Sequence, residues 1–172
     1  MFQDEARFGR IMEPRRCWAP KGFRPHVAAE IVYEYTYAFA AVSPADGVLD
    51  SLVLPITNTE VMSIFLKELS TRHPEEYILM FIDGAGWHRA NRLKVPANIR
   101  LVRLPPYSPE LNPVEHLWDE IREKWFSNKL FDSLFAVEDL LCEALLNLEN
   151  DHTRVHTMTA FDWIISCLKR AT

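Results

Sequence analysis

The chain has no apolar run approaching the ~20 residues a membrane-spanning helix requires. Its start, MFQDEARFGR, is charged where a signal peptide would be apolar. These absences predict a cytoplasmic protein with no membrane partner. Cysteine is scarce: Cys17, Cys142 and Cys167 are odd in number and far apart, which suits a reducing compartment and gives no zinc-finger spacing. Cys142 and Cys167 fall in apolar helical patterns, where core positions are expected. An excess of positive charge is also missing. A formal net charge of −5 over 172 residues argues against a surface given over wholly to nucleic acid, which is bound largely by Lys and Arg releasing counterions. A local basic patch remains compatible with that total, and a site built for divalent cations itself adds negative charge to a metal-free count. Internal repeats and low-complexity tracts are absent. The length, with 48% apolar and 25% charged residues, fits a single domain over residues 1–172 with a sizeable core.

What is present is an α/β pattern. Residues 1–8 read as a strand with Phe2, Asp4 and Phe8 on one face. After a turn-rich basic segment come IVYEYTYAFAAVS and GVLDSLVLP, joined by the turn signal PADG as a hairpin. Asn58 or Thr59 caps a helix over about 60–71, ended by His73-Pro74. YILMFID and IRLVRL are short apolar runs without alternation, as expected of strands buried on both faces. Helix resumes at Pro113, and two further periodic stretches, 134–149 and 159–170, follow. Five strands with interspersed and trailing helices predict a mixed five-stranded sheet flanked by helices, with extra C-terminal helices covering one face. Such sheets place their chemistry at the carboxyl ends of central strands.

Three acids stand at element starts or ends. Asp83 closes the apolar strand and precedes GAG, so its carboxylate is either a strand-end ligand or a turn cap. Asp4 lies inside a strand between phenylalanines, where a charge is costly without a partner, unless the strand is an edge. Glu5 points to the opposite face. Glu115, three residues after Asn112 and two after Pro113 in PPYSPELNPVEHLW, satisfies the capping-box pattern, in which its carboxylate reaches back to the Asn112 N–H. If the three converge instead, like charges share one space only with cations between them. Hard oxygen ligands favour Mg²⁺ or Mn²⁺ and phosphodiester chemistry.

The series FQDEARFG, RRCWAPKG, NTEVMSIFL, FIDGAGWH, LPPYSPELNPVEHLW and FDWII resembles the catalytic domain of bacterial insertion-sequence transposases related to the mariner superfamily, the DDE-type endonucleases, over essentially the whole chain. The resemblance implies a ribonuclease H-like fold in which Asp4, Asp83 and Glu115 are the catalytic and metal-binding triad, with two Mg²⁺ or Mn²⁺ ions. It implies cleavage at element ends and 3′-OH strand transfer in DNA transposition and integration. The partners would be transposon-end and target DNA, in a homo-oligomeric synaptic complex associated with the nucleoid. The family often has Asn after the second acid, where Gly84 stands here, and often a slightly longer gap than the 31 residues between Asp83 and Glu115. Family members carry helix-turn-helix segments ahead of the catalytic domain. Their absence from this chain implies a separate DNA-binding polypeptide or a truncated, non-cutting regulatory fragment. A ribonuclease H-like nuclease without strand transfer is the other alternative.

Arg15, Arg16, Lys21 and Arg24, interleaved with Trp18, are candidate DNA contacts. His88, five residues after Asp83, is a candidate phosphate contact against a capping or packing role. Trp87 and Trp118 read as core aromatics. Asp119, one turn beyond Glu115, reads as a solvated helix face with a metal-assisting alternative. His152 and His156 have no third ligand nearby and predict no zinc site.

Overall fold

The computed structural model describes residues 1–11, 15, 18–26, 31–84 and 92–171, the side chains at 168 and 171 excepted. Five strands form one sheet: β1 (Phe2–Ile11), β2 (Ile31–Ser43), β3 (Val48–Leu54), β4 (Ile78–Ile82) and β5 (Ile99–Arg103). Five helices accompany them: α1 (Thr59–Arg72), α2 (Val114–Lys124), α3 (Leu134–Glu149), α4 (His152–Thr159) and α5 (Asp162–Ala171). The spatial order is β3-β2-β1-β4-β5. The first three strands pair antiparallel, and β4 and β5 join parallel to β1 and to each other. β1 is therefore the central strand, which removes the edge-strand alternative for Asp4.

Side-chain alternation along the strands divides the core between the two faces. Phe2, Ala6 and Phe8 of β1, with Ala38, Ala40 and Val42 of β2, face α2 and α3. Phe39 and Ala41, with Met80 and Ile82 of β4, face α1 through Met62, Phe65, Leu66 and Leu69. Each such fully buried side chain contributes roughly 1.5–3 kcal/mol relative to exposure. The burial on both faces expected of the runs 78–82 and 99–104 is not found: Leu79 of β4 is exposed, and β5, an edge strand, exposes Arg100 and Arg103. Asn58 caps α1 as expected, its Oδ1 accepting the Val61 N–H at 2.8 Å. The outer strand β3 is covered along its length by α3, whose Glu149 accepts from the Ser51 N–H and Oγ–H.

The helix expected over 159–170 is α5, which starts at Asp162; an additional helix, α4, precedes it, where the Asp151 side chain accepts from the Arg154 N–H, and the chain turns at Ala160 between the two. One expectation for the C-terminal helices fails. Cys142 and Cys167 are exposed. Cys142 lies one residue past Leu141 and so is rotated off the buried stripe of Val137, Leu141, Ala144 and Leu148. Cys17, Arg16, Trp87 and His88 lie outside the described residues. No helix among those described is long and apolar enough to cross a membrane.

The β2–β3 turn depends on Gly47. Its φ is +75°, and a Cβ there would meet the His152 carbonyl oxygen at 2.0 Å, so the turn can lie against α4 only without a side chain. Gly22 also has positive φ, +89°, but nothing stands within 4 Å of its Cβ position. Gly22→Ala is expected to cost only the left-handed backbone penalty of about 1–2 kcal/mol. Gly47→Ala is expected to lose more, because the clash adds to the same strain. Urea unfolding of the two variants measures the difference.

Candidate active site

β1 and β4 pair at Phe2 and Phe81, with the Phe81 N–H donating to the Met1 carbonyl at 2.9 Å. Two residues further along each strand stand Asp4 and Asp83, so the parallel register sets these acids side by side at the carboxyl end of β4. Glu115 comes from above, in the first turn of α2. All three line one cavity of about 370 Å³, whose wall is completed by Gly84, Asn112 and the segment 104–109. The structure thus brings the three predicted carboxylates to one hollow.

The entry to α2 decides what Glu115 is for. The chain makes a 3₁₀ turn over Pro109–Leu111, and the Asn112 N–H donates to the Pro109 carbonyl at 2.9 Å. That donor is the one a capping-box glutamate would have taken, so the capping-box reading of Glu115 is wrong, and its carboxylate faces the cavity. Asn112 is itself buried and spans two elements. Its Oδ1 accepts from the Val114 N–H at 3.3 Å, while its Nδ2 donates to the Gln3 carbonyl on β1 at 3.1 Å. The start of α2 is thereby tied to the backbone beside Asp4. The outer side of α2 is held by Arg154 of α4, whose Nε donates to Glu120 at 3.1 Å, and by His116, which contacts the Met158 carbonyl.

Asp4 is half-buried, and one of its oxygens accepts a 2.8 Å hydrogen bond from the Trp118 indole. Trp118 is a core aromatic, as its sequence context predicts, but its N–H has this second use. Burial pushes the Asp4 carboxyl up to about 7; the Trp118 bond opposes the shift, and the charges of Glu115 and Glu5 add to it. Glu115 is also raised, first by burial; Arg122 pulls it down, and Asp119 and Asp83 push it up. Glu115 is therefore coupled by repulsion to both aspartates. Asp119 is exposed, and its charge acts on Glu115.

Among the described residues, no three His, Cys, Asp or Glu side chains stand close enough together to enclose a metal ion. The triad carboxylates line one cavity, where like charges raise the cost of holding all three ionised together. An all-carboxylate donor set, in which Asp4 and Glu115 have raised proton affinities, fits a hard divalent cation, which would replace the protons those two groups favour. His152 and His156 are exposed on α4, outside the cavity. Of the other candidates, Arg15 is half-buried and bonded to Asn128 and Glu123, while Lys21 and Arg24 are exposed beside the fully exposed Trp18.

One feature of the cavity wall escaped the sequence. Tyr107, between Pro106 and Ser108, has φ +57° and a fully exposed ring. A bulky residue in this region stores about 1–3 kcal/mol of strain and persists only where its surroundings enforce it. Pro105, Pro106 and Pro109 supply that enforcement.

A mixed sheet of order β3-β2-β1-β4-β5, flanked by helices, with acids side by side at the neighbouring central strands β1 and β4, is the ribonuclease H-like fold. The chain matches the Mos1 transposase paired-end complex with left transposon end at TM-score 0.62 and 16% identity, covering 92% of this chain and 55% of that one. It matches the Mos1 mariner paired-end complex with Mn at TM-score 0.64 and 17% identity, covering 91% and 52%. The chain spans about half the length of these transposases. In sequence, it is 37% identical over 130 residues to the uncharacterized protein y4pE/y4sA of Sinorhizobium fredii (strain NBRC 101917 / NGR234), covering 75% of this chain and 96% of that one. Residues 1–138 match the family model for DDE superfamily endonucleases. The chain belongs to the DDE superfamily of endonucleases.

The Asp4 carboxyl has a pKa of about 7 in the fold against an ordinary value of 3.8. The folded chain therefore binds this proton more tightly than the unfolded one, and stability falls as pH rises through that window, with the full penalty present above it. Glu115 contributes in the same direction. Asp4→Asn is expected to raise the melting temperature of the cation-free protein at about pH 8, by roughly 2–4 °C per kcal/mol relieved for a chain of this size. The gain should shrink as the pH is lowered towards 5; thermal unfolding across the pH series is the check.

Proposed function

We propose that this chain is the catalytic domain of a transposase that cuts DNA at the ends of a mobile element and joins the freed 3′-hydroxyl to target DNA. Asp4, Asp83 and Glu115 are its catalytic carboxylates, and Mg²⁺ or Mn²⁺ its cofactor, two ions in number. The observation that carries the proposal is the cavity that all three acids line, in a chain whose family is one of endonucleases.

Asp4 and Asp83, on adjacent parallel strands, would hold one ion between them, and Glu115 with either aspartate would hold the other. The chemistry bound ions supply here is polarisation of a phosphodiester and acidification of the attacking water. The chain's own work is positional. The Trp118 N–H fixes the rotation of the Asp4 carboxylate, Asn112 locks the first turn of α2 to β1, and the prolines before it set the direction from which Glu115 enters. Tolerances of about half an ångström are what a ligand set of this kind requires from its supports.

DNA, as element ends and target, is the proposed partner. The neighbouring Mos1 structures are described as paired-end and strand-transfer complexes, and that likeness supports both DNA binding and a homo-oligomeric synaptic complex for this chain.

In a Mn²⁺-supplemented nicking assay, Asp4→Ala, Asp83→Ala and Glu115→Ala are each expected to reduce cleavage to background while still unfolding cooperatively. Glu5→Gln, on the opposite face of β1, should cut like the wild type. Cleavage retained by any one of the three alanine variants would remove that residue from the catalytic set.

A further inference from the structure

A second cavity, of about 420 Å³, lies at the far end of β1, between the start of β2 and the C-terminal end of α2. Although the chain is acidic overall, this cavity is lined by Arg7, Arg10, Arg15, Arg122 and Lys129 against one carboxylate, Glu34. Two of the cations are already engaged: Arg10 pairs with Glu34 at 2.9 Å and Arg15 with Glu123 at 3.4 Å. Arg7, Arg122 and Lys129 form no ion pair among the described residues. The Arg7 guanidinium lies over the Tyr35 ring, 4.9 Å from its centroid, and that of Arg122 lies 5.3 Å from the centroid of Phe8. Aromatic faces hold these guanidinium groups in place without neutralising them.

We infer that this cavity is a phosphate-binding site for the DNA backbone, separate from the triad and engaging the strand about three nucleotides from the bond that is cut. The distance follows from α2, which carries Glu115 at one cavity and Arg122 at the other. β1 and α2 run in the same direction, since Trp118 bonds Asp4 and packs on Phe8, and Arg122, one turn further along α2, also lies over Phe8. Arg7, three residues beyond Asp4, projects from the other face of β1 together with Glu5, so the interval is read along α2. Seven helix residues separate Glu115 from Arg122, about 10.5 Å at 1.5 Å per residue and on nearly the same face. With one phosphate per 3.4 Å of axis along a strand, that interval is about three nucleotides.

The inference rests on the proposed function for the identity of the anion, and one set of measurements separates the two. Binding of a short labelled duplex to the full chain is followed by fluorescence anisotropy across a salt series without divalent cation. Cleavage of the same duplex is followed with Mn²⁺. The double variant Arg7→Gln/Lys129→Gln, both exposed positions, is expected to bind about tenfold more weakly and to lower the slope of log K against log salt by roughly 2, at about 0.9 per phosphate contact. The charge-matched control Lys67→Gln/Arg100→Gln, on exposed positions of α1 and β5, is expected to leave that slope unchanged. An equal loss in the control, an unaltered slope in the cavity variant, or no binding by the wild type would each overturn the site. If the cavity variant keeps the wild-type slope while the wild type cuts, the site is wrong and the nuclease reading stands. A slope lowered only in the cavity variant, with no cleavage by the wild type, supports the site and removes the nuclease.

Discussion

The hydrogen bond from the Trp118 indole to the Asp4 carboxylate joins the central strand to the helix that covers it, and the site is organised around it. Asp4 sits on the face of β1 that also carries Phe2, Ala6 and Phe8, an environment in which an unanswered carboxylate is unfavourable. One 2.8 Å bond moderates that cost without cancelling it, and the group keeps a pKa of about 7. To supply the donor, α2 must lie over β1 with Trp118 directed inward. That placement also sets Glu115 above the ends of β1 and β4. The packing of the core and the geometry of the acid cavity are therefore consequences of one arrangement.

A single stripe of α2 serves three purposes. Glu115, Trp118 and Arg122 recur at helical spacing on the side facing β1, and in order they meet the acid cavity, the strand and the basic cavity. Arg122 belongs to both ends of this arrangement, since its charge also restrains the proton affinity of Glu115. The helix has little freedom to shift. Asn112 bonds it to β1 at one end, Glu120 to Arg154 along its outer side, and Val114, Leu117 and Ile121 are buried beneath it.

Much of the fold was legible because it is written locally. The apolar run at 78–82, the PADG turn and the Asn58 cap each specify their own element, and the alternation around Asp4 gave its face correctly. The three acids were legible by their positions at element ends and by the family pattern. What local pattern could not show was how backbone donors are allotted. Asn112-Pro113-Val114-Glu115 satisfies the capping-box spacing, yet the donor goes to Pro109 because the preceding prolines tighten the chain into a 3₁₀ turn. The Asp4–Trp118 bond joins residues 114 positions apart, and the basic cavity gathers Arg7, Arg122 and Lys129 from separate elements, so neither leaves a sequence signal. Arg15 was selected as one of a basic loop cluster, but its place is on the wall of that cavity.

Asp4, Asp83 and Glu115 are held at one cavity, where the proposed cation would draw them together. Anomalous diffraction from a crystal of this chain soaked in Mn²⁺ tests it most directly. The predicted result is anomalous density between Asp4, Asp83 and Glu115, with carboxylate oxygens drawn in to about 2.0–2.2 Å, the range expected for small divalent ions on oxygen ligands. Carboxylates that remain apart with no anomalous density among them would contradict it.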